Sequence, residues 1–166
     1  MLRRSAAVAA ALLLAGVLAG CQSLTLLPDG RALVIAGGRA ELIDPVAGTR
    51  TVLPAPGTAR IAHSATLLPD GRVLLAGGMD QDAPLRSAEL LAADGSGFTP
   101  TGDLVEPRSL QTATLLPDGT VLLVAGGTIS QDQDVPPLAS AEIYDPATGV
   151  FRSAGSLAQG RILHTA

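Results

Sequence analysis

The sequence predicts an all-β fold of repeated four-stranded antiparallel units, as in a β-propeller, and three observations support this. The motif Leu-Leu-Pro-Asp-Gly occurs at residues 26–30, 67–71 and 115–119. An apolar run ending in Gly-Gly follows each motif, and an Ala-Glu pair opens the next apolar run. Pro28, Pro69 and Pro117 are 41 and 48 residues apart, and a period of this length is typical of a propeller blade.

Composition agrees with many short strands. The 166 residues include 19 Gly and 12 Pro, and aromatic residues make up only 2%, so the core must consist of Leu, Val, Ile and Ala. Every basic residue is Arg and the net charge is −4, which excludes the clustered positive charge of a nucleic-acid surface. The single cysteine, Cys21, excludes an internal disulfide and a Cys-rich metal site.

The N-terminus has the pattern of a secretory signal peptide. Arg3 and Arg4 precede an apolar run over residues 6–18, which is too short for a membrane-spanning helix. The run ends in Leu-Ala-Gly-Cys at residues 18–21, which resembles the lipobox of bacterial lipoproteins. That resemblance implies cleavage before Cys21 and acylation of its thiol; the alternative is an ordinary thiol after a simple signal. We therefore expect a signal peptide over 1–20 and an acylated tether over 21–23.

Lipidation predicts the location of the protein. Several acyl chains on Cys21 would hold it firmly on membrane lipid, its first expected partner. Gln22 follows the cysteine, which by resemblance to lipoprotein sorting favours the bacterial outer membrane, facing the periplasm or the cell surface. Removal of Arg3 and Arg4 with the signal changes the net charge from −4 to −6.

The third copy of the repeat shows the strands most clearly. Residues 113–116 and 121–125 are apolar runs on either side of a Pro-Asp-Gly turn, which predicts a hairpin. A polar loop over 128–137 leads to a third strand at 141–144, a turn at 145–149 and a fourth strand at 150–153. The second run is continuously apolar, as expected for a strand that is buried on both faces.

The same elements divide the chain into blade 1 (24–64), blade 2 (65–112), blade 3 (113–160) and the start of blade 4 (161–166). Propellers close with four to eight blades, so we expect an incomplete propeller of about three blades. Three interpretations remain open: a fragment of a longer propeller, a ring closed by several copies, and a stand-alone array. Missing blades or self-association would be needed to close the ring.

The repeat resembles the kelch repeat over residues 24–166. The resemblance rests on the apolar run ending in Gly-Gly, the Glu-Ile-Tyr-Asp-Pro strand at 142–146 and an aromatic residue beyond a Thr-Gly turn. Phe98 and Phe151 occupy the position where kelch blades usually have Trp, and blade 1 has no aromatic there. The form of the turn is similar to bacterial kelch-like blades and the central domain of galactose oxidase. Another four-stranded propeller repeat is the alternative.

The galactose oxidase resemblance implies a copper–radical site made of two tyrosines, one of them crosslinked to a cysteine, and two histidines. This chain has one tyrosine, Tyr144, and its one cysteine is the expected lipid site. It also has no Gly-x-Ser-x-Gly nucleophile elbow. We therefore expect no catalytic residue, no metal and no cofactor in these residues.

Polar residues recur once in each blade, and each set has a structural and a functional interpretation. One set, at the start of the inner strands, forms either a ring of ligand-binding groups or contacts that define the repeat: Arg60, His63, Arg108, Gln111, Arg161 and His164. The other set is expected to be structural, the glutamates bonding backbone or Arg: Gly37, Gly38, Gly77, Gly78, Gly126, Gly127, Glu41, Glu89 and Glu142.

The loops after Gly-Gly vary, and variable loops on a rigid scaffold are where partners bind. They contain Asp-Gln-Asp at 80–82 and 132–134. Alternate carboxylates can bind calcium, but the EF-hand spacing is absent, so the other interpretation is an ordinary solvated loop. The sequence favours a membrane-anchored, non-catalytic scaffold that binds a protein or a glycan. The alternative is the N-terminal part of a propeller enzyme acting on carbohydrate, with catalytic residues beyond Ala166.

Overall fold

A computed structural model describes residues 23–127 and 136–165, which form twelve β-strands. The strands are β1 Ser23–Leu26, β2 Ala32–Ala36, β3 Arg39–Asp44, β4 Thr49–Leu53, β5 Ser64–Leu67, β6 Val73–Ala76, β7 Ala88–Leu91, β8 Phe98–Pro100, β9 Thr112–Leu115, β10 Val121–Val124, β11 Ser140–Asp145 and β12 Val150–Ser156. Within these two ranges, no helix has the length and apolarity that crossing a membrane requires. The expected signal peptide, Cys21, the Asp-Gln-Asp of 132–134 and Ala166 lie outside the described residues.

The strands form three antiparallel sheets of four, ordered β1-β2-β3-β4, β5-β6-β7-β8 and β9-β10-β11-β12. This confirms the four-stranded antiparallel repeat. The first strands of successive sheets, β1, β5 and β9, contact one another, so each sheet places its first strand innermost. We call the three sheets blades 1, 2 and 3.

The Pro-Asp-Gly turns join the first two strands of each blade. In blade 2, Gly71 donates to the carbonyl oxygen of Leu68 at 3.0 Å and has φ +86°. Asp70 Oδ1 accepts the Arg72 backbone N–H at 3.1 Å. A glycine is favoured here because the left-handed conformation penalises a Cβ atom.

The register separates the two ends of the blades. The turn face consists of residues 27–31, 44–48, 68–72, 92–97, 116–120 and 145–149, which connect strands at one end. The loop face consists of residues 37–39, 54–63, 77–87, 101–111, 125–127, 136–139 and 157–164, at the other end.

The core lies between the blades, because side chains of the middle strands alternate between two neighbours. In β6, Val73 and Leu75 pack toward blade 1, whereas Leu74 and Ala76 pack toward blade 3. All four are at most 2% exposed. A strand buried on both faces needs a continuous apolar run, and the sequence has one at this position in every blade.

All four strands of blade 3 differ slightly from the sequence-based boundaries. Strand β9 begins and ends one residue earlier than expected, and β10 ends one residue earlier. Strand β11 begins one residue earlier and ends one later than expected, and β12 extends to Ser156. The extension follows from pairing, because Ser156 lies opposite Ser140 across an irregularity in the register. Backbone pairing determines where these strands end, and the pattern of side chains in the sequence does not predict that pairing.

Candidate functional site on the loop face

The loop face contains the recurring arginines, and two of them are buried ion-pair partners. Arg60 is 1% exposed, and its NH2 group donates to Glu89 Oε1 at 2.7 Å. Its NH1 group donates to the carbonyl oxygens of Gly77 and Ser87 at 2.9 and 2.8 Å. Glu89 also accepts the backbone N–H of Gly57 at 2.7 Å. The connector before blade 2 is therefore fixed to the second and third strands of that blade.

Blade 3 repeats this arrangement. Arg108 is fully buried and donates from NH2 to Glu142 Oε1 at 2.6 Å and from NH1 to the carbonyl oxygens of Ala125 and Ser140. Glu142 accepts the backbone N–H of Val105 at 2.7 Å. Each carboxylate thus receives a guanidinium and backbone donors, which compensates for the cost of burying two charges. We call these the connector ion pairs.

Glu41 and Arg161 do not follow this arrangement. Glu41 binds Arg50 of the adjacent strand, and both side chains are partly exposed. Arg161 is exposed, and its carbonyl oxygen accepts the Gly126 N–H at 3.0 Å.

Two residues after each recurring arginine, the backbone takes a left-handed conformation. Ala62, Leu110 and Leu163 have φ +54°, +56° and +54°. This conformation is uncommon for residues with a side chain, so the repeat maintains it at a cost. No glycine marks this position, so the amino-acid sequence does not predict the conformation.

The residue after this bend contacts the preceding blade. His63 Nε2 lies 2.6 Å from the hydroxyl of Ser23, and His164 Nε2 lies 3.0 Å from that of Thr112. Gln111 Nε2 donates to the Ser64 hydroxyl at 3.2 Å. The same kind of side-chain hydrogen bond to a hydroxyl group thus joins each inner strand to the connector that follows it. Sequence reasoning missed the hydroxyl partners, although a Ser or Thr begins every inner strand.

The structure brings the recurring side chains into interblade contacts, and a ligand-binding role for them stays a prediction. Four of their polar atoms are buried and have no hydrogen-bond partner: Nδ1 of His63, Nδ1 of His164, Nε of Arg108 and Oε1 of Gln111. Burial, together with the positive charge of Arg60, lowers the pKa of His63 to about 4. His63 is therefore neutral at pH 7.

We expect acid to weaken the contact between blades 1 and 2 through His63. The unfolded chain protonates this histidine below its ordinary pKa of 6.5, whereas the folded chain resists protonation down to about 4. The free energy of unfolding therefore falls as pH decreases from about 6.5 to about 4, by about 3 kcal/mol in total. Urea unfolding at a series of pH values measures this.

The matched control is His63→Gln, because Gln111 occupies the same position in blade 3. The variant keeps a donor for Ser23 and removes the titrating group. Its stability should change less between pH 7 and pH 4 than that of the native chain. Equal pH dependence in both proteins would contradict the assignment to His63.

A groove of about 690 Å³ lies on the loop face between blades 1 and 2. The connector 57–61 and the loop 79–82 form its walls, and Gly37 lies at its edge. Asp80 accepts the backbone N–H groups of Asp82 and Ala83 at 2.9 and 2.8 Å. This carboxylate shapes its own loop, whereas Gln81 is exposed and its side chain is free of such a constraint.

Tyr144 lies in the core between blades 2 and 3. Its ring packs against Phe151 at 4.7 Å, and its hydroxyl lies 2.9 Å from Thr101 Oγ1. Over residues 23–127 and 136–165, no three His, Cys, Asp or Glu side chains are placed to hold a metal ion. The described residues thus do not fit the copper site that the galactose oxidase resemblance implies.

No protein-family model and no curated protein matches the chain. Solved structures do match its fold. A structure of YjhT has a TM-score of 0.71 at 13% identity, and a fungal alcohol oxidase of the AA5 family, in complex with copper, has a TM-score of 0.62 at 16% identity. The alignments cover 84% of this chain but only 51% and 44% of those chains, so this chain spans about half their length.

These similarities, together with the three sheets, show the fold. The protein is an all-β, propeller-type chain whose fold is similar to those of YjhT and the AA5 alcohol oxidase. At 13% and 16% identity the similarity carries information on the fold alone.

Proposed function

We propose that this chain is a lipid-anchored binding scaffold of the bacterial cell envelope. Acyl chains on Cys21 hold it in the membrane. Gln22, the residue after the lipidated cysteine, favours the outer membrane. The blades present the loop face to a protein or glycan, and the scaffold is part of a longer propeller.

The hydrogen bonding of the buried charged side chains supports the non-catalytic part of this proposal. Arg60, Arg108, Glu89 and Glu142 are the buried charged groups of the described residues, and each is bonded within the fold. A catalytic acid or base needs to reach a substrate proton, whereas these side chains are bonded in two closed pairs, Arg60 with Glu89 and Arg108 with Glu142. The groove between blades 1 and 2 remains as an open concave surface for binding.

The second candidate is the N-terminal part of a carbohydrate-acting propeller enzyme. The observation that favours it is the length of one matched chain. That chain, a copper-bound alcohol oxidase, is more than twice as long as the part that aligns with this protein. Its catalytic residues would lie beyond Ala166. The coding sequence downstream of Ala166 distinguishes the candidates: clustered His, Tyr or carboxylates on added loop-face segments would favour the enzyme.

The anchor is tested by Cys21→Ala. We expect the native chain in the membrane fraction with an acylated N-terminus, and the variant released into the soluble fraction. A second variant, in which a cleavable ordinary signal replaces residues 1–21, excludes retention by an uncut signal peptide. Retention of this second variant in the membrane would contradict the lipid anchor.

The released chain then serves to test binding against a panel of bacterial envelope oligosaccharides, by calorimetry and by assay for turnover. Gln81→Arg at the groove should weaken binding severalfold. Ala147→Arg, on the exposed turn face, is the matched control and should leave it unchanged. Turnover of a bound glycan would favour the enzyme candidate, and equal effects of the two variants would contradict the groove.

A further inference from the structure

The point at which the chain enters the fold restricts how an anchored molecule can sit on a membrane. Ser23 begins the innermost strand of blade 1 at its loop-face end, opposite Ile35. Its hydroxyl lies 2.6 Å from His63 Nε2. Cys21 is only two residues earlier, and two residues span at most about 7 Å even when fully extended. An acylated Cys21 is therefore held next to the loop face.

Charge distribution favours the same orientation. The turn face contains six aspartates, Asp29, Asp44, Asp70, Asp94, Asp118 and Asp145, and two arginines, Arg31 and Arg72. The described loop face is less acidic: Arg39, Arg86 and Arg161 stand against Asp80, Asp82, Asp103 and Glu106, whose side chain is 45% exposed, a net charge of −1 against −4 on the turn face.

Hydrogen bonds keep the turn-face carboxylates ionised. The side chain and backbone of Arg31 lower the pKa of Asp29, Arg72 does the same for Asp70, and Thr120 lowers that of Asp118. An anionic lipid surface repels negative charge within about a Debye length. The turn face is therefore the unfavourable side for membrane contact.

An exposed aliphatic side chain lies near the point of attachment. Ile61 is 40% exposed, and it is two residues from His63, whose Nε2 lies 2.6 Å from the Ser23 hydroxyl. Aliphatic side chains at a membrane surface gain by entering the boundary between headgroups and acyl chains.

We propose that the loop face lies against the lipid bilayer, with the turn face directed away from it. The inference rests on the proposed lipid anchor. It also restricts the proposed binding role, because a ligand of the groove between blades 1 and 2 must then be reached at the membrane surface.

The chain contains no tryptophan, so a single introduced indole reports its own surroundings. Ile61→Trp places the probe on the loop face, and Val46→Trp, at a position 95% exposed on the turn face, is its matched control. Val105→Trp, at a position 44% exposed on the loop face, and Val150→Trp form a second pair in case one variant fails to fold. The acylated full-length chains are reconstituted into phosphatidylethanolamine–phosphatidylglycerol vesicles containing a brominated lipid.

We expect severalfold stronger fluorescence quenching for the loop-face variants than for the turn-face variants. Flotation with vesicles and the mass of the N-terminus test the anchor separately. If the chain floats but both variants of a pair are quenched equally, or the turn-face variant more strongly, the orientation is wrong and the anchor stands. If the chain carries no acyl group and does not float, the anchor fails and the orientation fails with it.

Discussion

Replacing Arg108 by Met is expected to lower the free energy of unfolding by about 3–5 kcal/mol. Arg108 is fully buried, and its loss leaves Glu142 buried with backbone donors alone. The carbonyl oxygens of Ala125 and Ser140 also lose their donor. A desolvated charge without a counter-charge is among the costliest results of a single substitution. Urea unfolding of the soluble chain that lacks residues 1–21 measures it.

The matched control is Arg152→Met, an exposed arginine of the same blade, which should change stability by no more than about 0.5 kcal/mol. The double variant Arg108→Met, Glu142→Gln removes both charges and should recover part of the loss. A loss below about 1 kcal/mol for Arg108→Met would show that the buried pair does not hold the connector to the blade.

Gly77→Ala is expected to destabilise the protein by about 2–4 kcal/mol. Gly77 has φ +61°, and a Cβ atom built there would lie 2.5 Å from the carbonyl oxygen of Arg108 and 3.0 Å from Gln111 Nε2. The substitution therefore combines an unfavourable backbone conformation with a collision against the connector of blade 3. Unfolding in urea measures the loss, and limited proteolysis of the connector 101–111 locates it.

The chain provides its own control at the equivalent position of blade 3. Ala125 has φ +58° and a fully buried methyl group. Ala125→Gly relieves the backbone conformation but creates a small void and a more flexible unfolded chain, so its net effect should stay within about 1 kcal/mol. Equal losses for the two substitutions would mean that the contact with Arg108 is unimportant.

Local chemistry explains why so much of the fold was predictable. The turn in blade 2 needs Gly71 for its positive φ and Asp70 for its backbone hydrogen bond, and both requirements are written in neighbouring residues. The continuous apolar run of β6 likewise reports burial on both faces. Strand number, sheet order and the two ends of the blades follow from these signals.

The candidate site was predictable only in part. Repetition identified Arg60 and Glu89 as recurring groups, and it suggested that such glutamates bond backbone or Arg. It did not reveal that these two charges meet 29 positions apart along the chain, or that His63 contacts Ser23 of the preceding blade. Such contacts depend on how the blades stack. A local sequence pattern does not predict which residues far apart in the chain come together.

By itself, the sequence determined the repeat, the turns, the apolar strands and the short interval between Cys21 and the first strand, because each depends on residues close together in the chain. Only the tertiary structure decided that Arg60 and Arg108 are buried and paired with Glu89 and Glu142. It alone placed Ser23 at the loop-face end of blade 1. The physical reason is that burial and orientation arise from packing between blades, where distant residues exclude water from one another.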